Sequence, residues 1–374
     1  LRKAWGDRKI APPPAGVQRR RDRKPAVMTR AAIFALALSA AAVLAGPRPA
    51  SAQLGSAQPA VPAACEPAGG LAFVCGLVNV EDFLPVDGGR FLVGSSFKLG
   101  SAGLYLIDTT AKTARQVILS IAIKPDWAYA GCRAPDLARL STHGLDVKDG
   151  PHGTATVYAV NHGGRESVEV FRLNPARATA EWIGCVRLPQ EVSGNSVAAL
   201  PRGGFAVTKF LDTTDKQSMQ KVMAGQANGL VYVWAPGKGL RVLPGSQLSG
   251  DNGLVVSPDG KWLYVNAYGT REVWRIPASG QGERTSVKVD FYPDNLRWAP
   301  DGQLFVTGQV DVQAPAGRHG WATVKLDPQA MTVEPVVRSP GLPQFDDATS
   351  AVQVGDTLWF GTYRGDRVAY RPAP

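Results

Sequence analysis

The chain has 374 residues, 44% of them hydrophobic, and a formal charge of +10. A net +9 of that lies ahead of residue 53: residues 1–27 hold nine Lys/Arg against two Asp/Glu, and residues 28–52 add Arg30 and Arg48. The remainder is near neutral, which removes the electrostatic case for binding nucleic acid or an anionic membrane surface, and it is long enough to bury a large core.

Residues 1–27 are basic, Pro-rich and aperiodic, and read as an upstream extension rather than part of a fold. Met28 opens MTRAAIFALALSAAAVLAGPRPASAQ, with Arg30 at its start, an apolar run from Ala31 to Ala45 and a small-residue exit at Ala50-Ser51-Ala52. This pattern predicts a secretory signal over 28–52, cleaved after Ala52, and an exported protein, periplasmic or secreted. The run is shorter than the ~20 residues of a membrane span, and Gly46, Pro47 and Pro49 follow it. Residues 53–70 form a Pro/Ala/Gly-rich linker ahead of a domain over 71–374. Four cysteines remain, Cys65, Cys75, Cys132 and Cys185. An even number in an exported chain predicts disulfides among three possible connectivities, and local spacing favours Cys65–Cys75 with Cys132–Cys185. No CxxC and no Cys/His spacing points to zinc.

From Leu71 onward the chain reads as short β-branched and aromatic strands: VYAVNH, VEVFRL, GFAVTKF, LVYVWAP, KWLYVNA, EVWRIP, QLFVTG, ATVKLDP, TLWFGTY and RVAYRP. Turn signals such as DGG, HGG, RGG and PDG separate them. The strands group into units: EDFLPVDGGRFLVGSS from Glu81, HGLDVKDGPHGTATVYAVNH from His143, NSVAAL from Asn195, DNGLVVSPDGKWLYVNA from Asp251, DNLRWAPDGQLFVTG from Asp294 and TSAVQVGDTLWFGTY from Thr349. Six units of this kind predict an all-β, six-bladed β-propeller. The polar stretch KFLDTTDKQSMQKVMAGQAN, Lys209–Asn228, interrupts the pattern with helical composition and could wall the axial mouth or run over the surface.

Glu81, His143, Asn195, Asn252 and Asn295 share the first position of the repeat. Radial blades would bring them to one axis. Singly, each Asn suits a turn and a Glu at a strand start suits solvent. Together, Glu81, Asn195, Asn252, Asp294 and Asn295 offer five oxygen ligands, two of them charged, for a hard cation such as calcium, with room left for water or a substrate oxygen. His143 at the ring and His162 at the end of the next strand suit a proton relay. His152 and His319 lie in Gly-rich loops and read as bystanders. No GxSxG, Walker or GxGxxG motif is present.

The segment HGLDV…TVYAVNHGGRESVEVFRL resembles the second blade of the paraoxonase/arylesterase family. NGLVVSPDGKWLYVNAYGTREVWRI resembles the hallmark that family shares with the regucalcin/gluconolactonase group. The likeness runs loosely over residues 79–372. It implies a six-bladed propeller with two axial calcium ions. The catalytic ion would be held by Glu81, Asn195, Asn252, Asp294 and Asn295, with His143 and His162 as the relay. The second, structural ion would use Asp82 and the Leu145 carbonyl. Its other carboxylate falls on Ser196, a departure from the family that weakens this second site. The C-terminal VAYRPAP lacks the family's ring-closing Cys, so closure must rest on strand pairing.

The implied activity is calcium-dependent hydrolysis of lactones or esters, the base being His143 oriented by His162, or a carboxylate such as Glu81 or Asp294. Alternatives are a gluconolactonase-type sugar-lactone hydrolase and a non-catalytic ligand-binding propeller. The expected partner is a small-molecule substrate, with no nucleic acid and no stable membrane span, in a monomer or small oligomer.

Overall fold

The computed structural model describes residues 65–101, 103–310 and 319–374, all within one compact unit, Ala60–Pro374. The expected extension over 1–27, signal peptide over 28–52 and most of the linker lie outside the described residues.

All ten strand segments read from the sequence are strands. The described residues form six sheets, five of four strands and one of five. The first strands of the six sheets are Phe83–Val86, Thr142–Asp149, Val192–Ala199, Asp251–Val256, Tyr292–Trp298 and Ala348–Val354. They touch one another in a closed cycle around an axis. The architecture is therefore the expected six-bladed propeller. Asp-Gly turns join the first two strands of the fourth and fifth blades, and their Gly260 and Gly302 take φ of 71° and 82°, a conformation that favours glycine.

Burial explains the apolar runs. Six apolar layers lie between successive blades, from Leu104, Val157 and Phe171 between the first and second to Phe83, Leu92 and Trp359 between the sixth and first. Each sheet is thus covered on both faces. The ring closes by strand exchange: Ala72–Cys75 pairs antiparallel with the last strand, Ala72 opposite Tyr370 and Cys75 opposite Arg367. This removes the open sheet edge that a linear chain of blades would leave at its ends. The disulfides are Cys65–Cys75, which anchors that closing strand, and Cys132–Cys185.

Two insertions take defined form. Ile118–Ile121 adds a fifth strand, parallel to Thr179–Trp182, to the second blade, a feature the sequence did not suggest. Lys209–Asn228 carries the short helix Ser218–Met223.

The first strands are bulged where the ring residues sit. Register with the neighbouring strand shifts between Thr142 and Leu145, Gly194 and Val197, Asp251 and Leu254, and Pro293 and Leu296. A bulge re-aims side chains and breaks the strict alternation of the strand. It lets consecutive residues such as Asp294 and Asn295 both serve the axis. The strands also approach too closely for a side chain beside the ring. A Cβ on Gly253 would lie 2.3 Å from the Asp294 carbonyl, and one on Gly144 would lie 2.4 Å from the Asn195 carbonyl. Gly253→Ala is expected to destabilise the protein by about 1–3 kcal/mol through this overlap and to weaken any cation response by displacing Asp294. Thermal denaturation with and without calcium checks this; an unchanged melting temperature would show the strands can part freely.

Candidate functional site

The structure brings the predicted ring together. Glu81, Asn195, Asn252 and Asp294 line one cavity of about 530 Å³ at the mouth of the axis. Asn295 stands behind Glu81 and donates its Nδ2 to Glu81 Oε1 at 2.5 Å. In the sixth blade the equivalent position is taken by Thr349 and Ser350, whose hydroxyls donate to the Glu81 carbonyl at 2.5 and 3.0 Å. That blade positions the ring without contributing a side chain to it.

Four of the five predicted ligands carry a buried oxygen with no hydrogen-bond partner: Glu81 Oε2, Asn195 Oδ1, Asn252 Oδ1 and Asn295 Oδ1. Each such oxygen costs about 1–3 kcal/mol. Asp294 is held by Gln309 Nε2, which donates to Oδ2 at 2.9 Å. Burial pushes the Asp294 carboxyl up to about 7. Burial, with Asp82 and Asp294 nearby, raises Glu81 well above the usual carboxylate range. Two desolvated carboxylates and three amide oxygens make a hard-cation donor set, and calcium fits it. Among the described residues no three His, Cys, Asp or Glu side chains cluster as an ion site; amides supply the majority here.

The histidine pair is also joined. His143 Nδ1 lies 3.0 Å from His162 Nε2, and His162 Nδ1 lies 2.8 Å from Glu166 Oε1. A carboxylate only accepts, so His162 carries its proton on Nδ1 and accepts on Nε2. His143 then donates from Nδ1, which leaves its Nε2 lone pair facing Glu81, 3.7 Å from Oε2. Phe97 stacks on His143 with ring centroids 4.1 Å apart. Burial first, then His162, lowers the His143 pKa well below its usual value, so the ring is neutral at neutral pH. Glu166, which fixes both tautomers, was not singled out in the sequence; its place four residues after His162, across the HGG turn, was the available signal.

The cavity lining is mixed. Phe97, Phe210, Leu211 and Met219 supply its apolar part, so the Lys209–Asn228 insertion walls the site. Tyr268, Gln309, Tyr363 and His319 supply a polar part. His319, read as a bystander, instead lines the cavity with Nδ1 3.0 Å from Asp347 Oδ1. His152 is exposed in the turn Pro151–Gly153.

Asp82 and Leu145, expected to hold a second ion, are both acceptors of Arg297. Its Nε donates to Asp82 Oδ1 at 3.1 Å, its Nη2 donates to Asp82 Oδ2, and Nη2 also reaches the Leu145 carbonyl at 3.1 Å. Ser196 Oγ, at the position of the missing carboxylate, accepts from Leu254 N at 3.2 Å. These residues do not fit a second metal ion.

No curated protein matches the chain in sequence. Solved structures with a similar fold include a luciferin-regenerating enzyme, with 16% identity over 82% of this chain and 96% of that one and a TM-score of 0.53. A gluconolactonase from Xanthomonas campestris shows 17% identity over 81% and 89%, with a TM-score of 0.52. A calcium-binding regucalcin from Agrobacterium tumefaciens shows 12% identity over 81% and 94%, with a TM-score of 0.50. At these identities the likeness establishes the fold. A sequence-family model described as the SMP-30/Gluconolactonase/LRE-like region matches residues 151–340. That match takes in just over half of the chain, including Asn195, Asn252, Asp294 and Asn295, and by it the protein belongs to the SMP-30/gluconolactonase/LRE-like family.

Proposed function

We propose that the protein is a calcium-dependent hydrolase of lactones and related esters, with a paraoxonase-like preference for substrates bearing an aliphatic or aromatic group. The carrying observation is a set of four partnerless buried oxygens: those on Glu81, Asn195 and Asn252, which line the cavity beside a neutral, oriented histidine, and that on Asn295, whose amide is hydrogen-bonded to Glu81. Family membership and the named activity of the Xanthomonas neighbour support lactone hydrolysis.

Glu81, Asn195, Asn252, Asp294 and Asn295 would hold the ion. Calcium, when bound, supplies electrostatic stabilisation of the charge that develops on a substrate carbonyl oxygen. His143 accepts a proton from the attacking water at Nε2. His162 holds the His143 ring, and Glu166 holds His162. Phe97 packs against both imidazoles. Phe210, Leu211 and Met219 take the substrate's apolar part.

The polar lining of Tyr268, Gln309 and Tyr363 favours a second reading, an aldonolactone as substrate. The two are separated by assaying the purified protein on an aliphatic γ-lactone, phenyl acetate and an aldonolactone, each with calcium and then with excess chelator. Chelator-sensitive turnover of the first two is expected. Turnover of the aldonolactone alone would establish the sugar-lactonase reading. No turnover at all, with calcium still raising the melting temperature, would make the ring a binding site only. Among the described residues no helix is long and apolar enough to cross a membrane, and export of the chain, with its two disulfides, remains part of this proposal.

A further inference from the structure

A buried ion pair lies beneath the ring. Asp82 is 0% exposed and Arg297 is 3% exposed. The guanidinium grips Asp82 through two nitrogens, reaches the Leu145 carbonyl, and donates from Nη1 to the Leu296 carbonyl at 2.7 Å. Asp82 accepts two backbone bonds besides, from Phe83 N at 2.9 Å and Leu145 N at 2.8 Å. Asp82 precedes the first strand of the first blade, Leu145 lies in that of the second, and Arg297 reaches them from that of the fifth. One side chain thus ties three blades across the axis. It separates the ring cavity from a smaller recess of about 170 Å³, which Pro85, Asp146, Ala199, Val255 and Val352 line from the other side.

Charge counting around the axis gives the role. On the ring side Glu81, Asp82 and Asp294 are three buried carboxylates, and Arg297 is the buried cation bonded to Asp82; Asp146, on the recess side, accepts from the backbone N–H groups of Val147 and Ala199 and is not part of the ring. Arg297 is committed to Asp82. Glu81 and Asp294 remain, a charge of about −2 when ionised, which one divalent ion balances. A buried carboxylate needs a partner with charge and directed bonds, and a planar guanidinium supplies both where a metal would otherwise do so. The strand pairing gives the place of Arg297 in the repeat. Leu254 pairs with Val265 and Leu296 with Val306, so Arg297 occupies the position that Val255 holds one blade earlier.

We propose that the Arg297 guanidinium is a built-in cation of the propeller axis, bonded to Asp82 and the Leu145 carbonyl in place of a structural metal ion, so that the chain folds without metal and takes up no more than one divalent ion. This holds whether or not the ring is catalytic.

The test is a metal count and a fold measurement on the purified protein. After exhaustive chelation, the near-ultraviolet circular dichroism and a cooperative thermal melt should persist. After reloading with calcium and desalting, elemental analysis should give one calcium per chain. Two calcium ions per chain, or a native spectrum lost in chelator and regained with calcium, would overturn the proposal. A native spectrum with no calcium retained would leave Arg297 in its role and remove the ring reading instead. Arg297→Met keeps most of the length and deletes the charge; its melting temperature in chelator should fall by on the order of 10 °C. The double variant Arg297→Met/Asp82→Asn should recover part of that fall, because no uncompensated charge remains. Should Arg297→Met not fold, the count and spectrum of the unaltered protein decide. A single variant that melts like the parent in chelator would show that the guanidinium compensates nothing.

Discussion

Asp294→Asn is expected to lower kcat/KM on the order of 10²–10³-fold while the protein stays folded. The substitution is nearly isosteric and touches only the charge. The amide oxygen can still accept from Gln309 Nε2, and the backbone carbonyl still accepts from Asn266 Nδ2 at 2.7 Å. What disappears is one of the two carboxylates of the ring. A divalent ion then faces a single negative charge, from Glu81, and its affinity falls. The stability signature should cross over. In chelator, the variant should melt at or above the parent, because burial raises the Asp294 carboxyl to about 7 and a neutral amide escapes that cost. In calcium, the parent should be the more stable, since a ligand at 100 times its Kd adds about 2.7 kcal/mol to a fold that binds it. A folded variant with the parent's chelator-sensitive turnover would remove Asp294 from the site.

Glu81 and Asn295 lie 214 residues apart and share a hydrogen bond, yet both were legible because a repeat makes distant residues equivalent by phase. Strand identity was legible for a local reason: β-branched and aromatic runs between Gly turns have one stable use. Arg297, Glu166 and the His319–Asp347 pair were not legible, because each departs from the repeat. Arg297 takes a strand position that holds Val255 in the preceding blade, and its partner Asp82 is 215 residues away. Asp347 sits at a positive φ of 49° and meets His319 across a loop. Phase cannot announce a contact that occurs in one blade only. The fifth strand Ile118–Ile121 escaped for the same reason: it pairs in parallel with one partner and has no counterpart in the other blades.

The histidine pair can be separated from the ion by a second experiment. His143→Gln is expected to reduce kcat roughly 10²-fold or more with little change in KM and with the calcium-induced rise in melting temperature retained. His143 Nε2 stands 3.7 Å from Glu81 Oε2, beyond hydrogen-bond distance, so it does not help to hold the ring, while its Nε2 lone pair faces the cavity. Glu166→Gln probes orientation alone. Gln can turn its NH₂ toward His162 Nδ1, which reverses the hydrogen on both imidazoles and places one on His143 Nε2. The lone pair is then gone from the cavity although every heavy atom stays in place. A loss of about 10-fold in kcat, again with KM and calcium affinity unchanged, is expected. A purely structural role for Glu166, through its 3.2 Å contact with Gly194 N, would lower the melting temperature and leave kcat alone. If His143→Gln keeps full turnover, the base is a carboxylate of the ring, and Glu81→Gln then becomes the informative substitution.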